Sequence, residues 1–325
     1  MAKAVLVLGG AGFVGSHLLS HLAASGKYKK LVSGDIRSPR FVTPGVEYVE
    51  LDVRKPIPDD ICDGVTEIFN LAAVHTTPGH EDWEYYWTNV LGATHVSDFA
   101  RRTGASKVLF TSSISVYGES EEMKDEDSPL VPTSAYGRSK LCAEKIHRLW
   151  QAEQPDARRL VIVRPGVIYG YMERGNFSRL AELLRKKRFI FPGRADTIKA
   201  CGYVTDLVRS MTYMLDRPDR VTAYNFCHGE SYTTAQICEA FSRVAGYKQP
   251  RLTLPLTAML FGGRIFETMA KVGVKTSINR ARVLKLVHSN YIVPKRLGEA
   301  GFINSYDLNA ALADWQKVSG NGRFL

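Results

Sequence analysis

Residues 4–15 read AVLVLGGAGFVG. A short apolar run, Ala4 to Leu8, ends on glycines, and an amphipathic run follows. Such a run predicts a strand buried on both faces, with a helix opening behind the glycine turn. Gly9, Gly12 and Gly15 stand at G-x-x-G-x-x-G spacing, with Phe13 and Val14 inside the loop. One glycine permits the tight turn, one lets a diphosphate approach the backbone, and one lets the helix pack on the strand. The helix start then offers N–H groups and a partial positive charge to an anion. About 20 residues on, at the end of the second predicted strand, stands Asp35. Its carboxylate suits ribose hydroxyls and repels a 2′-phosphate, which favours NAD. Arg37 and Arg40 lie close by and keep NADP as the alternative. A glycine-rich turn with no ligand is the competing reading. The strand before, the helix after and the acid beyond weigh against it.

Outward from this stretch the first half alternates. LVSGD (31–35), EYVELDV (47–53), EIFNLAA (67–73), KVLFTSS (107–113) and LVIVRPG (160–166) read as further strands, with helical stretches such as VGSHLLSHLAASG and NVLGATHVSDFARRTG (89–104) between them. Strand–helix alternation implies a parallel sheet covered on both faces. The expected class is α/β, a Rossmann-type doubly wound parallel sheet with a smaller, discontinuous C-terminal substrate lobe. The dinucleotide-binding domain is expected over 1–170, with 200–228 returning to it, and the lobe over 171–199 and 229–325. Asp52, in LDV (51–53), is placed to reach an adenine amino group, with Val53 packing on the ring.

The bulk properties bound the function. The chain has 325 residues, 45% hydrophobic and 23% charged, with a formal charge of +10. No apolar run approaches the length of a membrane span. The opening AVLVL is too short, and too broken by glycines, for a secretory leader. Cys62, Cys142, Cys201, Cys227 and Cys238 are odd in number and carry no C-x-x-C spacing, which predicts reduced thiols, no metal site and a cytoplasmic protein. The positive charge suits an anionic small-molecule substrate. RKKR (185–188) reads as a solvated helix end, and no nucleic-acid motif accompanies it.

Residues 134–140 read SAYGRSK and place Tyr136 and Lys140 four apart, on one helix face. A nearby ammonium favours tyrosinate, and bringing a phenol from about 10 to about 7 takes roughly 4 kcal/mol. Tyr136 then becomes an acid–base group for a substrate hydroxyl. A common surface pair is the plainer reading, but the glycine loop upstream favours the chemical one.

These pieces, in order, resemble the extended short-chain dehydrogenase/reductases, specifically the NAD-dependent epimerase/dehydratase family. GGAGFVG, LDV, NLAA, TNVLGATHV, FTSSISVYGE, SPLVPTSAYGRSKLCAEK, VIVRPGVIYG and GYVTDLV carry the resemblance over roughly residues 4–240. It implies Ser113, Tyr136 and Lys140 as the catalytic set, Ser113 holding the reacting oxygen and Lys140 the nicotinamide ribose. It also implies cofactor contacts from Leu71, Ala72, Ala73 and Asn89, and a substrate set of Ser113, Asn176, Arg194 and Lys199. Ser112–Ser113 stands where the family's dehydratases carry an Asp-Glu pair, which argues against dehydration. Tyr171 replaces a usual proline, and Lys199 a usual arginine that grips the substrate diphosphate, losing the bidentate fork. The implied function is a nucleotide-sugar epimerase acting through a transient keto-sugar, as a homodimer packed through helices 89–104 and 136–152. The apolar stretch 253–292 keeps an alcohol dehydrogenase or ketone reductase on a less polar substrate as an alternative. A non-catalytic dinucleotide sensor is the third reading, disfavoured by the intact proton-transfer set.

Overall fold

The structure is a computed structural model that describes residues 3–76, 79–259, 287–320 and 323–325. In chain order it runs β1 (Lys3–Leu8), α1 (Phe13–Ala24), β2 (Tyr28–Asp35), β3 (Val46–Glu50), β4 (Val65–Asn70), α2 (Asp82–Thr103), β5 (Lys107–Thr111), β6 (Ser120–Lys124), α3 (Ala135–Ala152), β7 (Arg159–Pro165), β8 (Val167–Tyr169) and α4 (Asn176–Arg185). There follow β9 (Phe191–Pro192), β10 (Ile198–Lys199), β11 (Cys201–Tyr203), α5 (Val204–Asp216), β12 (Val221–Phe226), β13 (Tyr232–Thr233), α6 (Thr234–Ala245), β14 (Thr253–Leu254), β15 (Asn290–Ile292), α7 (Lys295–Glu299) and α8 (Leu308–Ser319).

Seven strands pair in parallel in the order β12-β7-β5-β4-β1-β2-β3. This is the Rossmann-type doubly wound α/β sheet. β1 lies inside it, and Val5, Leu6, Val7 and Leu8 have no exposed surface. Leu6 and Leu8 pack into one apolar layer with Phe99 and Trp150, from α2 and α3. Val5 and Val7 point the other way, to Leu18, Leu207 and Met211 of α1 and α5. The strand order reverses between β1 and β4, and there the carboxyl ends of the strands open a crevice.

Three predicted strands overran. β3, β4 and β5 end at Glu50, Asn70 and Thr111, so Asp52, Val53, Leu71, Ala72, Ala73 and Ser113 lie on loops just past the sheet edge. Leu51 and Val53 are buried there, and apolar loop residues of this kind mimic strand continuation. α2 starts seven residues before the predicted 89, because Glu81 and Glu84 form a capping box that fixes its first turn.

The later part of the chain builds a second apolar cluster around Tyr169, Phe177, Phe241 and Trp315. Beside it lies a sheet of order β13-β10-β15-β6. β6 had no sequence signal, and it ties the first half of the chain to this later sheet. Of the apolar stretch 253–292, residues 260–286 lie outside the described residues.

Candidate active site

The loop after β1 fits a diphosphate. A Cβ on Gly15 would stand 2.3 Å from the Gly9 carbonyl oxygen, and one on Gly9 only 2.7 Å from the Ala72 nitrogen. Gly9 also has φ +78°, a conformation side chains disfavour. Gly10, which the spacing rule did not single out, is equally crowded, with Ser33 Oγ 2.2 Å from its would-be Cβ. The backbone therefore lies flat against Leu71 and Ala72. α1 begins without a side-chain cap and without an acid in its first turn, so its own first turn offers no side chain that competes with an anion for its amides.

Asp35 is fixed at the rim. Its Oδ2 accepts the Ala11 N–H at 3.0 Å and its Oδ1 the Arg37 N–H at 3.0 Å. Each oxygen keeps a lone pair for a ribose hydroxyl. Arg40 turns away from this carboxylate to donate to the Met172 carbonyl at 2.5 Å. Asp52 is engaged by Arg54, which grips both its oxygens (Nε–Oδ1 2.8 Å, Nη2–Oδ2 2.7 Å) and so lowers its pKa. Arg54, in turn, lies 4.9 Å from the Trp87 ring centroid. Val53 packs against Gly92 of α2.

The start of α3 presents the groups expected to transfer a proton. Ser134 caps the helix, its Oγ accepting the Gly137 N–H at 3.1 Å. Gly137 lets the first turn press on the preceding loop, since a Cβ there would sit 2.4 Å from the Ser115 carbonyl oxygen. Tyr136 is thereby set beside Ser113, close enough for that side chain to oppose the rise of its pKa. Ser113 accepts the Ser115 N–H at 3.1 Å. Its neighbour Ser112 faces elsewhere and donates to Glu144 Oε1 at 2.6 Å, inside the buried Glu144–Arg164 pair.

The expected lowering of Tyr136 by Lys140 is not made by the protein alone. Burial pushes Tyr136 up to about 12, with the neighbouring Tyr85 adding and Ser113 opposing. Lys140 Nζ donates to the Thr111 carbonyl at 2.8 Å and lies 4.9 Å from the Phe110 ring centroid. A buried ammonium needs such a carbonyl, and that need directs it to the sheet edge. Burial brings Lys140 down to about 7, against the pull of Glu144. Beneath it, burial and the Lys140 charge hold His147 down at about 3. Asn70 Nδ2 can only donate to His147 Nε2 (3.2 Å), so Nδ1 carries the proton toward Ser97 Oγ (3.0 Å).

Asn89, expected as a cofactor contact, is a bracket. Its Oδ1 accepts the Val74 N–H at 2.9 Å, and both its N–H groups are spent on the Val74 carbonyl (3.1 Å) and Ser139 Oγ (2.9 Å). It ties the loop after β4 to α3. Sequence reasoning passed over two residues of that loop and its neighbour. Tyr85 donates to the Thr76 carbonyl at 2.6 Å, and its ring centroid lies 6.0 Å from that of Tyr136. His75 stands in the open crevice, its pKa lowered by crowding and by the charges of Lys140, Arg37 and Arg40, against a backbone bond to Ala73. Neither carried a motif; only their position identifies them.

The residues expected to contact substrate are less gathered. Asn176 is the exposed first residue of α4. Lys199 Nζ donates to the His288 carbonyl at 2.8 Å. Arg194 lies among acids. Its guanidinium is shared between Glu121 (3.0 Å) and Asp196 (2.8 Å).

The NAD dependent epimerase/dehydratase family model matches residues 5–227. The chain is 30% identical over 310 residues to the N-acetyl-alpha-D-glucosaminyl-diphospho-ditrans,octacis-undecaprenol 4-epimerase of Escherichia coli O157:H7, spanning 95% of this chain and 92% of that protein. It is 25% identical over 287 residues to the UDP-glucose 4-epimerase of Lacticaseibacillus casei, spanning 78% and 85%. Among solved structures, MoeE5 in complex with UDP-glucuronic acid and NAD shares the fold, with a TM-score of 0.77 and 24% identity over 98% of this chain and 100% of that one. With the glycine cradle, the Asp35 rim and the Ser113–Tyr136 contact all present, the chain belongs to the NAD-dependent epimerase/dehydratase family.

Proposed function

We propose that this protein is a 4-epimerase of a diphosphate-activated sugar, with nucleotide sugars as its substrate class. The observation that carries the reading is the Ser113–Tyr136 contact at the crevice mouth, with Lys140 buried behind it. The glycine loop, Asp35, Asp52, Val53, Leu71, Ala72 and Ala73 would hold NAD, and Lys140 its nicotinamide ribose. Bound NAD supplies the hydride acceptor and donor, together with the positive charge that the Tyr136 phenol lacks in the protein alone. Ser113 holds the reacting sugar oxygen. Tyr136 takes that oxygen's proton and returns it once the transient keto-sugar has turned over. Lys140 keeps positive potential behind the phenol and moves toward the ribose when the dinucleotide enters. Asn176 and Lys199 are the diphosphate contacts, in a substrate lobe assigned to 171–199 and 229–325.

The similarity to an undecaprenol-linked sugar epimerase over 95% of the chain favours a second reading of the same site, in which the diphosphate carries a lipid and not a nucleoside. The reductase reading has the support of a more distant similarity, 26% identity over 97% of this chain to a putative dihydroflavonol 4-reductase of Synechocystis sp. (strain ATCC 27184 / PCC 6803 / Kazusa). The thiols are unpaired, with Cys62, Cys201, Cys227 and Cys238 buried, which supports a reducing, cytoplasmic setting. A homodimer would seat a second copy on α2 and α3, where Leu149 is exposed beside a groove lined by Thr94 and Ile146.

The test is Tyr136→Phe. Interconversion of UDP-glucose and UDP-galactose, or of their N-acetylamino forms, should fall by 10³-fold or more, while the NAD released on denaturation stays near one per chain. Surviving turnover would remove Tyr136 from the chemistry.

A further inference from the structure

We propose that the C-terminal end of α4, with the β9–β14 edge, is a docking face for a bilayer surface rich in anionic phospholipid. The inference deepens the lipid-carrier reading of the active site and rests on it for its biological purpose. The surface itself stands on separate observations.

α4 stops in a tight turn. The Arg188 N–H reaches back to the Leu183 carbonyl (2.9 Å) and the Lys187 N–H to the Leu184 carbonyl (2.9 Å). Lys187 takes φ +57° there, at a position where glycine is the unstrained choice. A lysine is thus kept at a conformational cost, and the turn holds the side chains of RKKR outward. Arg185, Lys186, Lys187 and Arg188 are all exposed. Glu182 pairs with Arg185 (2.8 Å) and Lys186 (2.9 Å). Lys187, Arg188, Lys248 and Arg251 form no ion pair among the described residues, so the patch is strongly and openly positive.

The chain brings aliphatic side chains to the same place. β14 pairs with β9, and the Phe191 N–H donates to the Leu252 carbonyl at 2.9 Å. Leu183 (41% exposed), Ile190 (44%), Leu252 (67%) and Leu254 (43%) stand among the cations. Single exposed leucines are ordinary. Four on one strand pair and the helix end that feeds it, with Lys187, Arg188 and Arg251 adjacent in the chain, match an interface of lipid headgroup and acyl chain. Nucleic acid would ask for stacking aromatics in place of leucines. The face is also close to the site along the chain. From Pro192 to Lys199 is seven residues, at most about 25 Å. A carrier leaving a diphosphate held at Lys199 can therefore pass directly to a membrane touched by this face.

The experiment is vesicle flotation of the full chain on phosphatidylcholine alone and on phosphatidylcholine mixed with phosphatidylglycerol. Two variants are run beside it, K187Q/R188Q and L252D/L254D. Binding should appear only with phosphatidylglycerol and weaken with salt. It should fall about fivefold per cation removed, and be lost in the leucine variant. Both variants should keep bound NAD and wild-type turnover of a soluble UDP-sugar. Absence of binding, equal binding to neutral vesicles, or unchanged binding in either variant overturns the proposal. Absence of UDP-sugar turnover with intact vesicle binding would instead overturn the nucleotide-sugar reading and leave the lipid-linked one.

Discussion

At the residue scale, the Tyr136–Lys140 pair was singled out by its spacing, and Ser113 only through the family resemblance. Their electrostatics were not legible. Spacing of i and i+4 places two side chains on one helix face, but does not say which acceptor the longer one finds. Lys140 finds the Thr111 carbonyl, and Tyr136 is left protonated at pH 7 with its pKa near 12. The same burial has a thermodynamic consequence. The Lys140 pKa falls from the usual 10.5 to about 7 on folding. Between those values the unfolded chain binds a proton that the folded chain does not, so stability rises with pH across that window. Below about 7 the full penalty is present, and above about 10.5 it is gone. Urea denaturation at stepped pH should show the wild type gaining up to about 1.4 kcal/mol per pH unit relative to Lys140→Met, between roughly pH 7.5 and 10. Parallel pH profiles for the two proteins would show that Lys140 is not buried as described. Asn89 teaches the same lesson as Lys140. Its residue type was noticed, but only the fold shows its amide consumed in holding Val74 and Ser139.

At the element scale, α3 couples local sequence to chemistry. Ser134 starts the helix, Gly137 lets it approach, and Tyr136 is delivered to Ser113. Gly137→Ala sets a methyl group 2.4 Å from the Ser115 carbonyl oxygen and 3.0 Å from Pro132 Cβ, and neither is a flexible side-chain end. The helix start must move, at a cost of about 1–3 kcal/mol. A shift of about 1 Å at Tyr136 lowers turnover on the order of a hundredfold. Gly298→Ala in α7 meets nothing within 4 Å and serves as the control, with melting temperature unchanged or raised. Equal behaviour of the two variants in thermal melts and turnover would refute the role given to Gly137. Element types were largely readable from periodicity, whereas the strand ends were not. Leu51, Val53 and Leu71 are apolar because they pack beneath the crevice, and in sequence that is indistinguishable from more strand.

At the scale of the whole molecule, the parallel sheet followed from alternation, but its closure did not. β12 arrives more than 50 residues after β7 and pairs with it, and β6 leaves the first half to join β15. Long-range pairings of this kind are set by which surfaces remain uncovered, not by local pattern. The Ser113–Tyr136 contact lies past the carboxyl end of β5, one strand from the reversal between β1 and β4, on the edge where α/β sheets bind their ligands. In the proposed reaction the sugar's own hydrogen leaves and returns within one closed site. This is tested most directly with a UDP-hexose carrying deuterium at the inverting carbon. Mass and NMR analysis of the epimer should find the label fully retained at that carbon, with none lost to solvent water. Epimer formed with the label exchanged for solvent hydrogen would contradict hydride transfer and, with it, the role assigned to Tyr136.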